Sequence, residues 1–268
     1  MGDHLGSPLP ENMNPKFTED TLSEQPVIEQ LKRLGYACIH GDEFDPELTE
    51  DCERTARRDV VLISRLEKKL AEINPHLTEE SINKAIRRVT HIQAEGLMEA
   101  NRIFHQDLTA GISIDQDVGA KRQKLTVRYV DFDNPDKNEF LAVNQFWAKG
   151  PKETCRPDIV IFINGIPIVV IECKSPVAKQ MGIQKAIDQL KRYQEEIPQL
   201  FNTNQLLIAL NLFGAKYGAI FAEENFFHEW KASGDQKFPN MADHPSVKEM
   251  LELGTKKEIF QHGDALQS

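Results

Sequence analysis

The sequence predicts an α/β domain, a central mixed sheet flanked by helices, with a helical subdomain inserted early in the chain. Three observations predict it. Two almost wholly apolar runs, DIVIFI and IPIVVIECK, are joined at Asn164-Gly165, the strongest short-range hairpin signal present. Apolar residues recur at helical spacing over 46–110 and again after the hairpin. Period-two alternation begins only after Lys124.

Each element follows from local chemistry. Residues 1–20, rich in Pro, Asn and Gly, read as a flexible tail. A helix starts at Thr21 with Ser23 as its cap, and Val27, Ile28, Leu31 and Leu34 form a stripe ending at Gly35. Tyr36 to Ile39 reads as a short strand. The stretch 46–110 reads as helical throughout: VVLISRLEKKLAEIN stops before Pro75, Thr78 caps ESINKAIRRVTHI, and LMEANRIFHQDLTAG closes at Gly111. LTVRYVDF and EFLAVNQFWA read as strands. The two apolar runs read as central strands covered on both faces.

After the hairpin, 180–196 predicts a helix with Ile183, Ala186, Ile187, Leu190 and Tyr193 on one side, stopped by Pro198. LLIALNLF and KYGAIFA predict two more strands. Beyond His228 the chain turns polar, with one modest helix near Val247 to Leu253. The domain is therefore expected over 21–230, with 231–268 as a linker.

Composition bounds the function. A chain of 268 residues can bury a full core without staples. Its 28% charged and 40% hydrophobic residues are ordinary for a soluble domain. The longest apolar region, Ile159 to Cys173, is broken by Asn164-Gly165, Pro167 and Glu172 and is too short to span a bilayer. The N-terminus lacks a basic segment followed by an apolar core, so a cytoplasmic protein is expected. Cys38, Cys52, Cys155 and Cys173 form no C-x-x-C pair and read as reduced, small apolar residues. A net charge of −10 argues against nucleic-acid binding over the whole surface but leaves room for a local groove.

The chemistry concentrates in Arg156-Pro157-Asp158, then thirteen residues, then Glu172-Cys173-Lys174. Phosphodiester hydrolysis calls for a hard cation that polarises phosphate and acidifies a water. Mg²⁺ takes oxygen ligands, commonly one or two carboxylates plus waters. Asp158 and Glu172 supply carboxylates, the Cys173 carbonyl a further oxygen, and Lys174 a cation to orient the water and steady developing charge. Glu172 and Lys174, two apart on a strand, share a face. Charge in an apolar central strand is costly unless paired or metal-bound. An isolated E-x-K would read as an ordinary strand end.

Whether Asp158 joins them depends on register. A strict two-residue Asn164-Gly165 loop pairs Asp158 with Ile171 and puts Glu172 on the opposite face. Pairing Asp158 with Glu172 requires a three-residue connection, Asn164-Gly165-Ile166, or a bulge within the hairpin. One of these two is expected, and Pro167, which cannot donate to a regular ladder, supports it.

Pro157-Asp158…Glu172-x-Lys174 resembles the PD-(D/E)xK nuclease motif. DIVIFINGIPIVVIECKSP is similar to the nuclease segment of the restriction (motor) subunit of Type I restriction-modification enzymes. SEQPVIEQLKRLGY, VDFDNPDKNEFLAVNQF and Gln189-x-x-x-Tyr193 agree, so the likeness runs from about Thr21 to Trp230. The resemblance implies a restriction-endonuclease-like core and a Mg²⁺-dependent (or Mn²⁺-dependent) endonuclease cutting double-stranded DNA. It implies Asp158 and Glu172 as metal-binding acids, Lys174 as the catalytic lysine, and Gln189 and Tyr193 as an auxiliary pair near DNA.

Glu24 resembles the acidic residue on the superfamily's first helix, close to the metal, with Glu29 competing for the role. Gln145 in VNQF reads as a strand end that could line the same cleft. Arg156 and Lys179, with Lys149, Lys152, Lys185, Lys191 and Arg192, surround the motif and could contact phosphates. The resemblance also implies modification and specificity subunits as partners. In that family an ATP-driven translocase follows the nuclease, yet no G-x-x-x-x-G-K-[ST] loop occurs here. A portion of a longer subunit, ending before the motor, is therefore expected, with ATP entering only through that absent domain. Two other readings remain: a nuclease-like fold kept for DNA binding or subunit docking, with 46–110 as the interface, and a RecB-type or repair nuclease.

Overall fold

A computed structural model describes residues 24–119, 121–174, 179–211 and 214–230, without the side chains of 179–181. The expected tail (1–20), Ser23, the linker (231–268) and the helix near 247–253 lie outside the described residues.

Helix α1 (Gln25–Arg33) carries Val27, Ile28 and Leu31 on its buried face, and Gly35 ends it with φ +88°. Strand β1 (Ala37–His40) follows. Helices α2 (Ile63–Ile73), α3 (Glu79–Thr90) and α4 (Leu97–Ala110) come next. Thr78 caps α3 as expected, its hydroxyl accepting the Ser81 N–H at 3.3 Å. Residues 46–62, expected to be helical, contain no helix. Side chains hold that segment instead. Buried Arg54 donates to the carbonyls of Phe44, Arg57 and Asp59 and stacks 4.2 Å from the Phe146 ring centroid. Arg57 pairs with fully buried Asp45.

A hairpin of β2 (Ile112–Val118) and β3 (Lys121–Val127) was only half legible. β2 went unread, and the strand expected over LTVRYVDF begins earlier and ends at Val127. Then come β4 (Phe140–Asn144), the small pair β5 (Ala148–Lys149) and β6 (Thr154–Cys155), and the central strands β7 (Ile159–Ile163) and β8 (Ile166–Lys174). Helix α5 (Lys179–Glu196) matches its expected span, and Pro198 opens a short α6 (Pro198–Phe201). Strands β9 (Leu206–Asn211), β10 (Gly214–Gly218) and β11 (His228–Glu229) complete the chain.

The main sheet runs β1-β4-β7-β8-β9-β10-β11. It is mixed: β1 is parallel to β4 and β8 to β9, and the other pairs are antiparallel. Each face has its own core. Ile159, Ile161, Ile163, Ile171 and Cys173 pack with α1–α4. Val160, Phe162, Val170, Leu207 and Ala209 pack under α5 and α6. Helices α2–α4 lie between the neighbouring strands β1 and β4 in sequence and share the first of these cores. Both faces of β7 and β8 are therefore covered, which explains why their sequences are apolar without alternation. Each fully buried Ile, Val or Phe side chain contributes about 1.5–3 kcal/mol. Among the described residues no helix is long and apolar enough to cross a membrane.

Candidate active site

The site forms where β7 begins and β8 ends. Asn164 and Gly165 both have positive φ, 53° and 82°, the geometry of a two-residue type I′ turn. Ile163 pairs with Ile166 and Phe162 with Pro167, but Ile161 pairs with Val169. Ile168 is thus an extra residue, the expected bulge. The adjacent Ile168 and Val169 both face the α1–α4 core, as two bulged neighbours do. The bulge is supported from β9's approach: the Ile168 carbonyl accepts the Gln205 N–H at 2.7 Å, and Thr203 Oγ1 donates to the Pro167 carbonyl at 2.8 Å.

Beyond the bulge Ile159 pairs with Ile171, so Asp158 stands opposite Glu172. By alternation both share the α5 face, and so does Lys174. Glu172 is fully buried, and Lys174 Nζ donates to its Oε1 at 2.7 Å. The Cys173 N–H donates to Asp158 Oδ2 at 2.7 Å.

Glu24, just ahead of α1, is buried and joins this group through two amides. Asn144 Nδ2 donates to Glu24 Oε1 at 2.9 Å and Gln145 Nε2 to Glu24 Oε2 at 2.6 Å. Gln145 Nε2 also lies 3.2 Å from Asp158 Oδ1. Glu29, the competing acid, is on the surface beside Lys32. Sequence reasoning gave Gln145 little weight and passed over Asn144. The one available signal was a pair of amides ending an otherwise apolar strand.

The Cys173 thiol reports the charge gathered here. Burial pushes its pKa well above the usual thiol range, and Asp158, Glu172 and Glu24 each push it further, against Lys174. Tyr193 is buried on the α5 side, its phenol raised by burial and then by Glu172. Gln189, half-buried one turn earlier, donates to the Tyr193 hydroxyl. Tyr193 thus lies within electrostatic reach of Glu172 and Asp158.

Of the basic residues, Arg156 is exposed with its guanidinium 4.9 Å from the Trp147 ring centroid. Lys149, Lys152 and Lys185 are exposed. Lys191 pairs with Glu223 and Arg192 with Glu196. The side chain of Lys179 lies outside the described residues.

The donors near Asp158 are hard oxygens, the kind Mg²⁺ prefers over thiols or imidazoles. Among the described residues no cluster of three or more His, Cys, Asp or Glu side chains is drawn together closely enough to hold a metal by itself. A Mg²⁺ site built on two carboxylates and completed by waters and substrate phosphate does not need one. The donor set fits such an ion.

Comparison with known proteins bears on the same region. The family model of the Type I restriction enzyme R protein N terminus matches residues 16–226. A Methanocaldococcus jannaschii protein with the provisional name type I restriction enzyme MjaIXP endonuclease subunit is 36% identical over 219 residues, 81% of this chain and 21% of that protein. The Type I restriction enzyme HindI endonuclease subunit of Haemophilus influenzae is 30% identical over 209 residues, 78% of this chain and 20% of its own length. The chain therefore spans about a fifth of the length of these relatives. The matched region holds the bulged hairpin, both central acids and Lys174, and the chain belongs to the family of Type I restriction enzyme R protein N-terminal regions.

Proposed function

We propose that this chain is the Mg²⁺-dependent endonuclease domain of a Type I restriction enzyme, hydrolysing phosphodiester bonds of double-stranded DNA with a PD-(D/E)xK site. The observation that carries the reading is the bulge at Ile168, which brings Asp158 opposite Glu172 with Lys174 on the same face. The family relationship and the relatives' names, endonuclease subunits, support it.

In this reading Asp158 and Glu172 hold the ion, with the Cys173 carbonyl and Glu24 as further oxygens. The bound ion would polarise the scissile phosphate and acidify the attacking water. Lys174 orients that water and steadies the charge developing on the phosphate. Gln189 and Tyr193 act as an auxiliary pair near the bound DNA, and the exposed Arg156, with Lys179 at the start of α5, meets DNA phosphates without reading bases. The domain acts in a cytoplasmic complex in which modification and specificity subunits choose the target and an ATP-driven translocase supplies motion.

The test is cleavage of plasmid DNA with Mg²⁺ or Mn²⁺, in the full-length restriction subunit within its complex, beside Lys174→Ala and Asp158→Ala. Removing one group that donates to charge developing in the transition state, as Lys174 is proposed to, typically costs about 10²–10³ in rate. Cleavage that survives loss of Lys174 would sink the mechanism. Metal titration of the chain alone gives a readout independent of turnover, and binding that is unchanged in Asp158→Ala overturns the site.

A further inference from the structure

We infer that Gln145, assisted by Asn144, is an uncharged clamp that holds Glu24 and Asp158 ready for a divalent cation. It is a positioning residue, and the inference rests on the metal-dependent reading above. The two oxygens of Glu24 each accept one amide N–H, from Asn144 and from Gln145, and the Gln145 amide reaches Asp158 as well. Two carboxylates drawn together in a poorly hydrated pocket repel one another. An amide offsets this by donating hydrogen bonds without adding charge. A lysine or arginine in its place would hold the acids more tightly and also repel the ion. Each carboxylate oxygen has lone pairs for more than one partner, so an oxygen gripped by an amide can still face a cation.

The backbone of Gln145 points the same way. Its φ of 56° lies in the left-handed region, which glycine or asparagine fills with less strain. Glutamine stands there although it is the poorer fit, and it has the reach to touch both acids. The conformation is held from two sides. Gln145 N–H donates to the Asp158 carbonyl at 2.7 Å and Phe146 N–H to the Pro157 carbonyl at 3.2 Å. Across from them Gly41 passes so close that a Cβ there would lie 1.9 Å from the Gln145 carbonyl oxygen. Backbone and side chain together fasten the end of β4 to the Pro157-Asp158 turn and to the start of α1.

Two substitutions separate a clamp for the ion from a merely structural contact. Gln145→Gly relieves the backbone and deletes the amide. Gln145→Lys places an internal cation where the metal's field would be. With Mn²⁺ as the probe in calorimetric titration, Gln145→Gly should bind about 10- to 100-fold more weakly, the usual effect of removing a group that orients a ligand. Gln145→Lys should bind more weakly still while melting, without metal, no lower than Gln145→Gly. Wild-type affinity in either variant overturns the inference, and so does affinity that simply follows melting temperature across the two. Should Gln145→Gly fail to fold, the Lys variant decides alone. If the wild-type chain takes up no Mn²⁺, the metal-dependent reading itself fails, which is a distinguishable result.

Discussion

Asp158 Oδ2 accepts the backbone N–H of Cys173 at 2.7 Å, so the acid that begins one central strand is fastened to the middle of Glu172-Cys173-Lys174. That bond orients Asp158, and it also sets up a test. Asp158→Asn keeps the shape and an acceptor oxygen but removes the charge. Its stability should fall by only about 0.5–1.5 kcal/mol, the net worth of one hydrogen bond. Its Mn²⁺ affinity should fall more than the roughly 10- to 100-fold loss typical of an outer-shell change. Thermal denaturation and calorimetric titration on one preparation check both. A variant that melts normally and binds normally removes Asp158 from the site.

Glu172 and Lys174 are expected to be strongly coupled in stability. Glu172 is fully buried and its Lys174 partner 16% exposed. Breaking a buried pair by deleting one partner costs about 3 kcal/mol or more, because the remaining charge stays in a poor solvent. Lys174→Met should therefore lower the urea midpoint clearly. Glu172→Gln combined with Lys174→Met, which removes both charges at nearly constant volume, should recover most of that loss. A four-member cycle by urea denaturation measures the coupling, and single losses that simply add would show the pair to be independent.

The hairpin was legible because its chemistry is local. Asn164-Gly165 dictates the turn, apolar flanks dictate central strands, and the cost of burying Glu172 demands a partner. From these the need for a bulge follows, though whether a bulge or a longer loop supplied it did not. The ordered but irregular 46–62 was not legible, since its order rests on the fan of side-chain bonds from Arg54 to the Phe44, Arg57 and Asp59 carbonyls, which no periodicity marks. β2 alternates Ile112 and Ile114 with polar residues, but a polar Gln116 takes the next buried position and cuts the pattern short. Gln145 takes its meaning from Glu24, which is 121 positions earlier. A strand-end amide carries no mark of such a partner.

Two glycines offer a controlled test of how tightly the turn is docked. Gly165 has φ +82°, and a Cβ there would meet the Leu62 carbonyl oxygen at 2.5 Å and the Leu66 nitrogen at 3.0 Å. Gly119, in the β2–β3 connection, has φ +63°, and among the described residues a Cβ there would meet nothing within 4 Å. Alanine at Gly119 should cost only the left-handed penalty, about 1–2 kcal/mol. Alanine at Gly165 pays the same and also displaces the start of α2, whose Leu62 N–H donates to the Gly165 carbonyl at 2.8 Å. Gly165→Ala should thus be clearly the more destabilising in thermal denaturation. Equal losses would mean that the turn does not depend on α2.

Alkaline pH should unfold the protein through its buried acids. Burial raises the Cys38 thiol from 9.0 to about 11. Burial, then the bond to Glu196, raises Cys155 from 9.0 to about 12. Buried Tyr36, Tyr129 and Tyr193 shift in the same direction. Between about pH 9 and 11 the unfolded chain has released thiol protons that the folded chain still holds. The unfolded state then binds fewer protons, so stability falls as pH rises, by at most about 1.4 kcal/mol per pH unit for each thiol. Below pH 8 these groups are protonated in both states and contribute no slope. Denaturant titrations at stepped pH should show a plateau near neutrality and a decline above pH 9. The decline should be shallower between pH 9 and 11 in a Cys38→Ala/Cys155→Ala variant, where Cys173, whose thiol burial also raises, and the tyrosines supply the remainder. A wild-type profile that stays flat to pH 11 would mean that these thiols ionise in the folded protein as easily as in the unfolded one, and that the packing around them is open to water.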